Sequence, residues 1–190
     1  MKQDFSPSAS KFAGLSYRST DVDAVNYGLS EFGFIQLMKT LTEEQLNQSK
    51  DILTNAIYSS LKELFPSGKI YLATSHGSTS TEDKPNKFKY SLHAVIRGVG
   101  YYSCGLGILD NLCPKLDLLI EDKLKNNQEL RITIDTDKAP YKMTNSQQLL
   151  RTIGSSKKME GTKRIMMPID NETFEPVEIT DTLKQILNPP

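Results

Sequence analysis

The chain has 190 residues, 37% of them hydrophobic and 24% charged, with 23 Lys+Arg against 23 Asp+Glu. That length suits one domain with a real core. The charge balance excludes a polycation that holds nucleic acid by its overall field, so any such contact must come from a local basic patch. Two cysteines, Cys104 and Cys113, are too few for a disulfide framework and fit a reducing, intracellular setting.

Residues 1–20 are Ser/Lys-rich, ambiguous in structure, and lack the apolar run of a signal peptide. No window approaches the ~20 apolar residues needed to cross a bilayer. In "STDVDAV", Asp21 and Asp23 share one face if the stretch is extended; as a helix cap the same pair has no chemistry. The first clear element is "TLTEEQLNQSKDILTNAIYSSLKELFPSG". Thr42 can N-cap it with Gln45 closing a capping box, Leu46, Ile52, Leu53, Ala56, Ile57, Leu61 and Leu64 form one stripe, and Pro66 and Gly68 stop it. A short strand, "KIYLAT", follows, then a polar loop, "SHGSTSTEDKPNK".

"KFKYSLHAVIRG" alternates as a strand does. Phe88, Tyr90, Leu92, Ala94 and Ile96 share one face, while Lys89, Ser91, His93, Val95 and Arg97 share the other. Residues 99–125 are expected to be helical, broken at Pro114. "LRITID" predicts a strand ending on Asp135, with Arg131 and Thr133 on its face. "QQLLRTIGSSKK" predicts a strand carrying Arg151 into a Gly-Ser turn, "KRIMMPI" a further strand, and "TDTLKQIL" a closing helix. Strands and helices mix without strict alternation, so the expected class is α+β, a mostly antiparallel sheet covered by helices.

Three polar sets stand out: Ser91 with His93, Asp135, and Arg151 with Ser155, Ser156 and Lys157. Each has an ordinary reading as a solvated strand face, a turn-starting Asp or a solvated loop. Together they suit a nucleotide site. Carboxylates at i and i+2 on a strand, joined by a third acid, can hold two divalent metals, and Arg and Lys suit triphosphate oxygens. Stretch 151–164 concentrates Arg151, Lys157, Lys158, Lys163 and Arg164 against one acid, Glu160.

The order of the sets, a D-x-D pair, "KYSLHAVI", "ITIDTDKAPY" and "LLRTIGSSKK…KRIMMP", resembles the archaeo-eukaryotic primase superfamily. The likeness is closest to the primase domain of poxvirus and giant-virus primase-helicases and to eukaryotic primase-polymerases, and residues 87–168 carry it best. It implies an RRM-like primase core spanning 1–190 as one domain, excised from a longer primase-helicase or standing alone. It also implies template-directed nucleotidyl transfer for DNA replication with Mg²⁺ or Mn²⁺. Asp21, Asp23 and Asp135 would be catalytic metal ligands. Ser91, His93, Arg151, Ser156 and Lys157 would contact the nucleotide, with Tyr141 in the same downstream string. The implied partners are nucleoside triphosphates, a single-stranded DNA template laid across the open face of the sheet, and a replicative helicase. No membrane is implied, and the setting is the cytoplasm, a viral factory or the host nucleus. The spacing from Tyr141 to Arg151 is longer than the family pattern, and no apolar strand precedes the D-x-D. The alternative is a degenerate primase-like domain that binds nucleic acid or protein. Cys104 and Cys113, spaced "CGLGILDNLC", read as helix-buried thiols sooner than as half of a zinc knuckle.

Overall fold

A computed structural model describes residues 15–16, 29–30, 32–80, 85–98, 101–102, 112–127, 135–136, 151–159 and 162–188. In chain order the elements begin with strands β1 (Leu15–Ser16), β2 (Leu29–Ser30) and β3 (Phe32–Leu41), then helix α1 (Glu43–Leu64). Strands β4 (Lys69–Thr74), β5 (Gly77–Ser78), β6 (Phe88–Arg97) and β7 (Tyr101–Tyr102) lead to helix α2 (Cys113–Leu124). Strands β8 (Asp135–Thr136), β9 (Ser156–Met159), β10 (Thr162–Ile165) and β11 (Met167–Ile169) precede helix α3 (Asp181–Leu187).

The class is α+β, as expected. A seven-stranded sheet runs β1-β3-β6-β4-β11, with β8 added to β3 and β5 to β6, and its pairs are all antiparallel. Its spine is the long β3–β6 ladder, from Gly33 opposite Ile96 to Leu41 opposite Phe88. On one side lie α1 and α2. Leu46, Leu53, Ala56, Ile57 and Leu61 of α1 and Cys113, Leu116, Ile120 and Leu124 of α2 pack on Leu37, Leu72, Tyr90, Leu92, Ala94 and Ile96. Residues i, i+3, i+4 and i+7 make the α1 stripe, so burying it removes one continuous apolar face from water. Its capping box forms: the Gln45 N–H donates to Thr42 Oγ1 at 3.2 Å, and the Thr42 N–H donates to Gln45 Oε1 at 3.0 Å.

The other side of the sheet is not open beside β4. Ala73 and Val95 are buried there under Ile153, Met166 and Leu187, with Tyr71, Ile179 and Leu183 around them. The C-terminal segment and α3 therefore form a third layer over the face that alternation assigned to Ser91 and His93.

Four expectations change. Strand β3 stood outside the predicted elements. Residues 99–125 are not one helix: Tyr101–Tyr102 form β7, and Pro114 stands in the first turn of α2, where its missing N–H costs nothing, while residues 103–111 lie outside the described residues. Residue Arg151 lies in an irregular segment, not on a strand. "KRIMMPI" is two strands, because buried Met166 turns the chain from the β9–β10 hairpin into the main sheet. Residues 131–134 of "LRITID" lie outside the described residues, and the described strand there is β8, Asp135–Thr136.

Candidate functional site

Register places three of the singled-out residues in neighbouring rows of one sheet. Asp135 is opposite Met38, and Met38 is opposite Ser91. Continuing the β4–β6 register brings Ser75 opposite Ser91, and the Ser75 N–H donates to the Ser91 carbonyl at 3.0 Å. One step along, Gln36, His93, Ala73 and Pro168 form the next row. Opposed residues of antiparallel strands share a face. Asp135, Ser91 and His93 thus belong to the same face, although 42 residues separate His93 from Asp135 in sequence (135 − 93).

Ser91 and His93 are deeply set, at 3% and 5% exposure. Burial first, then the charges of Arg151 and Lys89, push the His93 imidazolium down to about 3, so the ring is neutral near pH 7. A neutral ring offers an anion a plain hydrogen bond rather than a charge-assisted one. Two guanidinium groups supply the positive charge instead. Half-buried Arg151 lies within Coulombic reach of both His93 and Arg164, and burial with that repulsion holds it below its ordinary value. Arg164 is 5% exposed, and its side chain crosses Gly77, where a Cβ would meet Arg164 Cγ at 3.0 Å. Gly77 also has φ +146°, a backbone state that other residues rarely adopt, so both the turn and the crossing require glycine.

The turn after Arg151 forms as the Gly-Ser pattern indicates. Gly154 has φ +79°, its N–H donates to the Met166 carbonyl at 2.8 Å, and the Met166 N–H returns to the Ser155 carbonyl at 3.0 Å. The hairpin that follows separates two of the expected nucleotide contacts. Lys157 is registered opposite Arg164, whereas Ser156 is exposed and opposite Ile165, on the other face of the hairpin.

Two polar residues of the site were not singled out from sequence. His76 stacks on Tyr90 with ring centroids 4.6 Å apart, and its Nδ1 accepts the Ser91 N–H at 3.1 Å. Burial, aided by Lys50, lowers it to about 4, which keeps Nδ1 a lone-pair acceptor. Ser75 is 1% exposed, and its hydroxyl has no hydrogen-bond partner among the described residues. Their proximity to Ser91 comes from the β4–β6 register; "TSHGS" alone reads as a loop.

Asp21, Asp23 and Tyr141 lie outside the described residues, as does Cys104. Cys113 is a buried thiol in α2. Among the described residues no three His, Cys, Asp or Glu side chains gather as a metal site requires. The strand between Asp135 and Ser91, "FGFIQLMKTL", holds Gln36 and Met38 at the positions facing those rows and contains no acid. The described residues therefore do not by themselves fit a pair of divalent cations.

The chain matches no family model, no curated protein and no solved structure. No helix among the described residues is long and apolar enough to cross a membrane.

Proposed function

We propose that the chain is a nucleotidyltransferase of the primase or primase-polymerase type, acting on nucleoside triphosphates along a single-stranded DNA template. The observation that carries the reading is the shared face of Asp135, Ser91 and His93, with Arg151 and Arg164 beside it. Guanidinium groups next to hydroxyls and a neutral imidazole suit a triphosphate, since Arg binds phosphate oxygens through a fork. In this reading Mg²⁺ or Mn²⁺ requires Asp21 and Asp23 beside Asp135, and a helicase acts with the domain.

The test is primer synthesis on single-stranded template with labelled nucleotides and Mn²⁺. Wild-type protein makes product and Asp135→Asn does not, because the variant keeps the shape and loses the charge. Arg151→Lys weakens nucleotide binding, because the fork is lost. Product from Asp135→Asn at the wild-type level would sink the reading.

A second reading, a primase-like domain that binds without catalysis, is favoured by one observation: the strand between Asp135 and Ser91 carries no acid. Its signature is DNA and nucleotide binding by the wild-type chain with no product in Mg²⁺ or Mn²⁺.

A further inference from the structure

β11 covers only part of β4. Its register stops at Ile169 opposite Leu72, so among the described residues Lys69–Tyr71 have no strand on that edge. The chain then turns away at Asp170. Asn171 takes the place of the next paired residue with its side chain, whose Nδ2 donates to the Ile70 carbonyl at 2.7 Å. An amide carries both donors and an acceptor, and only a donor is used here. Asn171 Oδ1 is buried and has no hydrogen-bond partner among the described residues.

A cavity of about 400 Å³ opens at this interrupted edge, within the size range of small-molecule sites. Its walls come from both faces of the sheet. Tyr58 of α1 packs with the helix-side core, whereas Tyr71 of β4 and Leu183 of α3 pack with the C-terminal layer. Asn171 is part of the lining, joined by exposed Asp170 and Glu172, and the lining contains no Lys, Arg or His. The Asp170 carboxylate is engaged on one side only. Its Oδ1 accepts the N–H groups of Thr173 and Glu172, both at 2.8 Å. Those two bonds hold the group below the usual carboxylate range, so it stays ionised.

We infer that this cavity binds a small organic cation, a primary amine or guanidine carried on a short apolar or aromatic body. An occupant has to suit an electronegative mouth, two phenol rings and an unmet amide oxygen. Carboxylates repel an anion, and a neutral apolar molecule leaves the amide oxygen unmet. A cation with N–H donors is attracted by the carboxylates and by the ring faces, and it can donate to the amide. The site differs from the Ser91–Arg151 region in its residues and in its sign of charge, so the inference does not rest on the proposed function. Leu183 and Leu187 bring α3 to the cavity wall, so an occupant also braces that helix against the β4 edge.

The experiment titrates the full-length protein with phenethylamine, agmatine and phenylacetate, read by calorimetry and by backbone amide shifts. Both cations should bind, and phenylacetate, which has a similar body and the opposite charge, should bind at least about tenfold more weakly. Amide shifts should gather at Tyr71, Ile169 to Glu172 and Leu183, and hydrogen exchange in α3 should slow when the cation is bound. Asp170→Asn/Glu172→Gln keeps an oxygen to accept the Thr173 and Glu172 backbone N–H groups while removing both charges. It should weaken both cations by roughly three- to tenfold. The wild-type shifts locate the site even if that variant folds poorly. No binding of either cation overturns the inference, as does equal binding of phenylacetate. Shifts that gather instead around Ser91 and Arg151 overturn it, and so does undiminished affinity in a folded double variant. Binding of an arginine- or lysine-bearing peptide with neither free cation bound would make the cavity a protein-docking surface and overturn it as well.

Discussion

Tyr90 is fully buried, and among the described residues its hydroxyl meets the Thr54 hydroxyl at 3.0 Å. Burial raises its pKa, so it is a neutral phenol at any ordinary pH. Thr54 has a second bond, donating to the Lys50 carbonyl at 2.7 Å. The two partners are therefore unequal. Tyr90→Phe leaves Thr54 satisfied and should cost under about 1 kcal/mol, whereas Thr54→Val orphans a buried phenol and should cost about 1–3 kcal/mol. Urea unfolding of both variants decides it, and the reverse order would mean that the phenol has another partner. The histidines make the chain acid-sensitive in a defined window. Unfolded, each binds its proton near 6.5; folded, His76 does so at about 4 and His93 at about 3. Between those values the unfolded chain holds more protons. Stability is therefore full above about 6.5 and falls as pH drops, by up to ~1.4 kcal/mol per pH unit for each histidine. Thermal melts from pH 7 to 4.5 should show this, with a flatter profile for His93→Gln and for His76→Gln. Profiles parallel to wild type would assign the acid sensitivity to other groups.

Among the elements, α1 and β4 were readable because local rules and the fold agree there. The Thr42–Gln45 box and the apolar stripe set the helix, and "KIYLAT" is β4 residue for residue. Thr42→Ala removes the oxygen that accepts the Gln45 N–H and should cost about 1 kcal/mol, read as a lower melting temperature. If that variant melts as wild type does, Gln45 has found another anchor. β3 was not readable for a physical reason. "FGFIQLMKTL" mixes Phe32, Phe34, Ile35, Leu37, Met38 and Leu41 with polar residues without clean period-two alternation, so no strand period marks it in the sequence. For β6 the split of faces was correct, but alternation cannot say what covers the second face. The Ser91–His93 side adjoins the Val95 core instead of lying on an open surface. The site was legible to the same extent. Ser91, His93, Asp135 and Arg151 carry chemistry visible in the chain, whereas His76 and Ser75 join them only through a register that pairs residues about fifteen apart, as the His76–Ser91 bond does.

At the scale of the molecule, one set of polar contacts between the C-terminal layer and the sheet, apart from the β11–β4 ladder, gathers at the end of α3. Arg97, the last residue of β6, donates from Nε and Nη2 to the Ile186 carbonyl at 3.3 and 2.9 Å, and from Nη2 to the Gln185 carbonyl at 3.4 Å. Carbonyls in a last helical turn have no partner within the helix, and a cation there also opposes the negative end of the helix dipole. Just beyond, Asn188 Oδ1 accepts the Ile153 N–H at 2.9 Å, which fixes the turn that follows Arg151. Leu187 completes the layer by covering Ala73 and Val95. Arg97→Ala should therefore cost about 1.5–3 kcal/mol, the range for hydrogen bonds to a charged group. The loss should be local. Hydrogen exchange should accelerate in 180–188 and around Ile153, while α1 and α2, joined to each other on the far side by the 2.8 Å Lys123–Glu63 pair, keep their protection. Because the same turn positions Arg151, nucleotide affinity should fall along with it under the proposed function. Arg97→Lys keeps the charge but loses the fork and should restore part of the protection. Exchange that rises equally in α1 and α3 would show that the third layer unfolds with the rest of the domain rather than opening by itself.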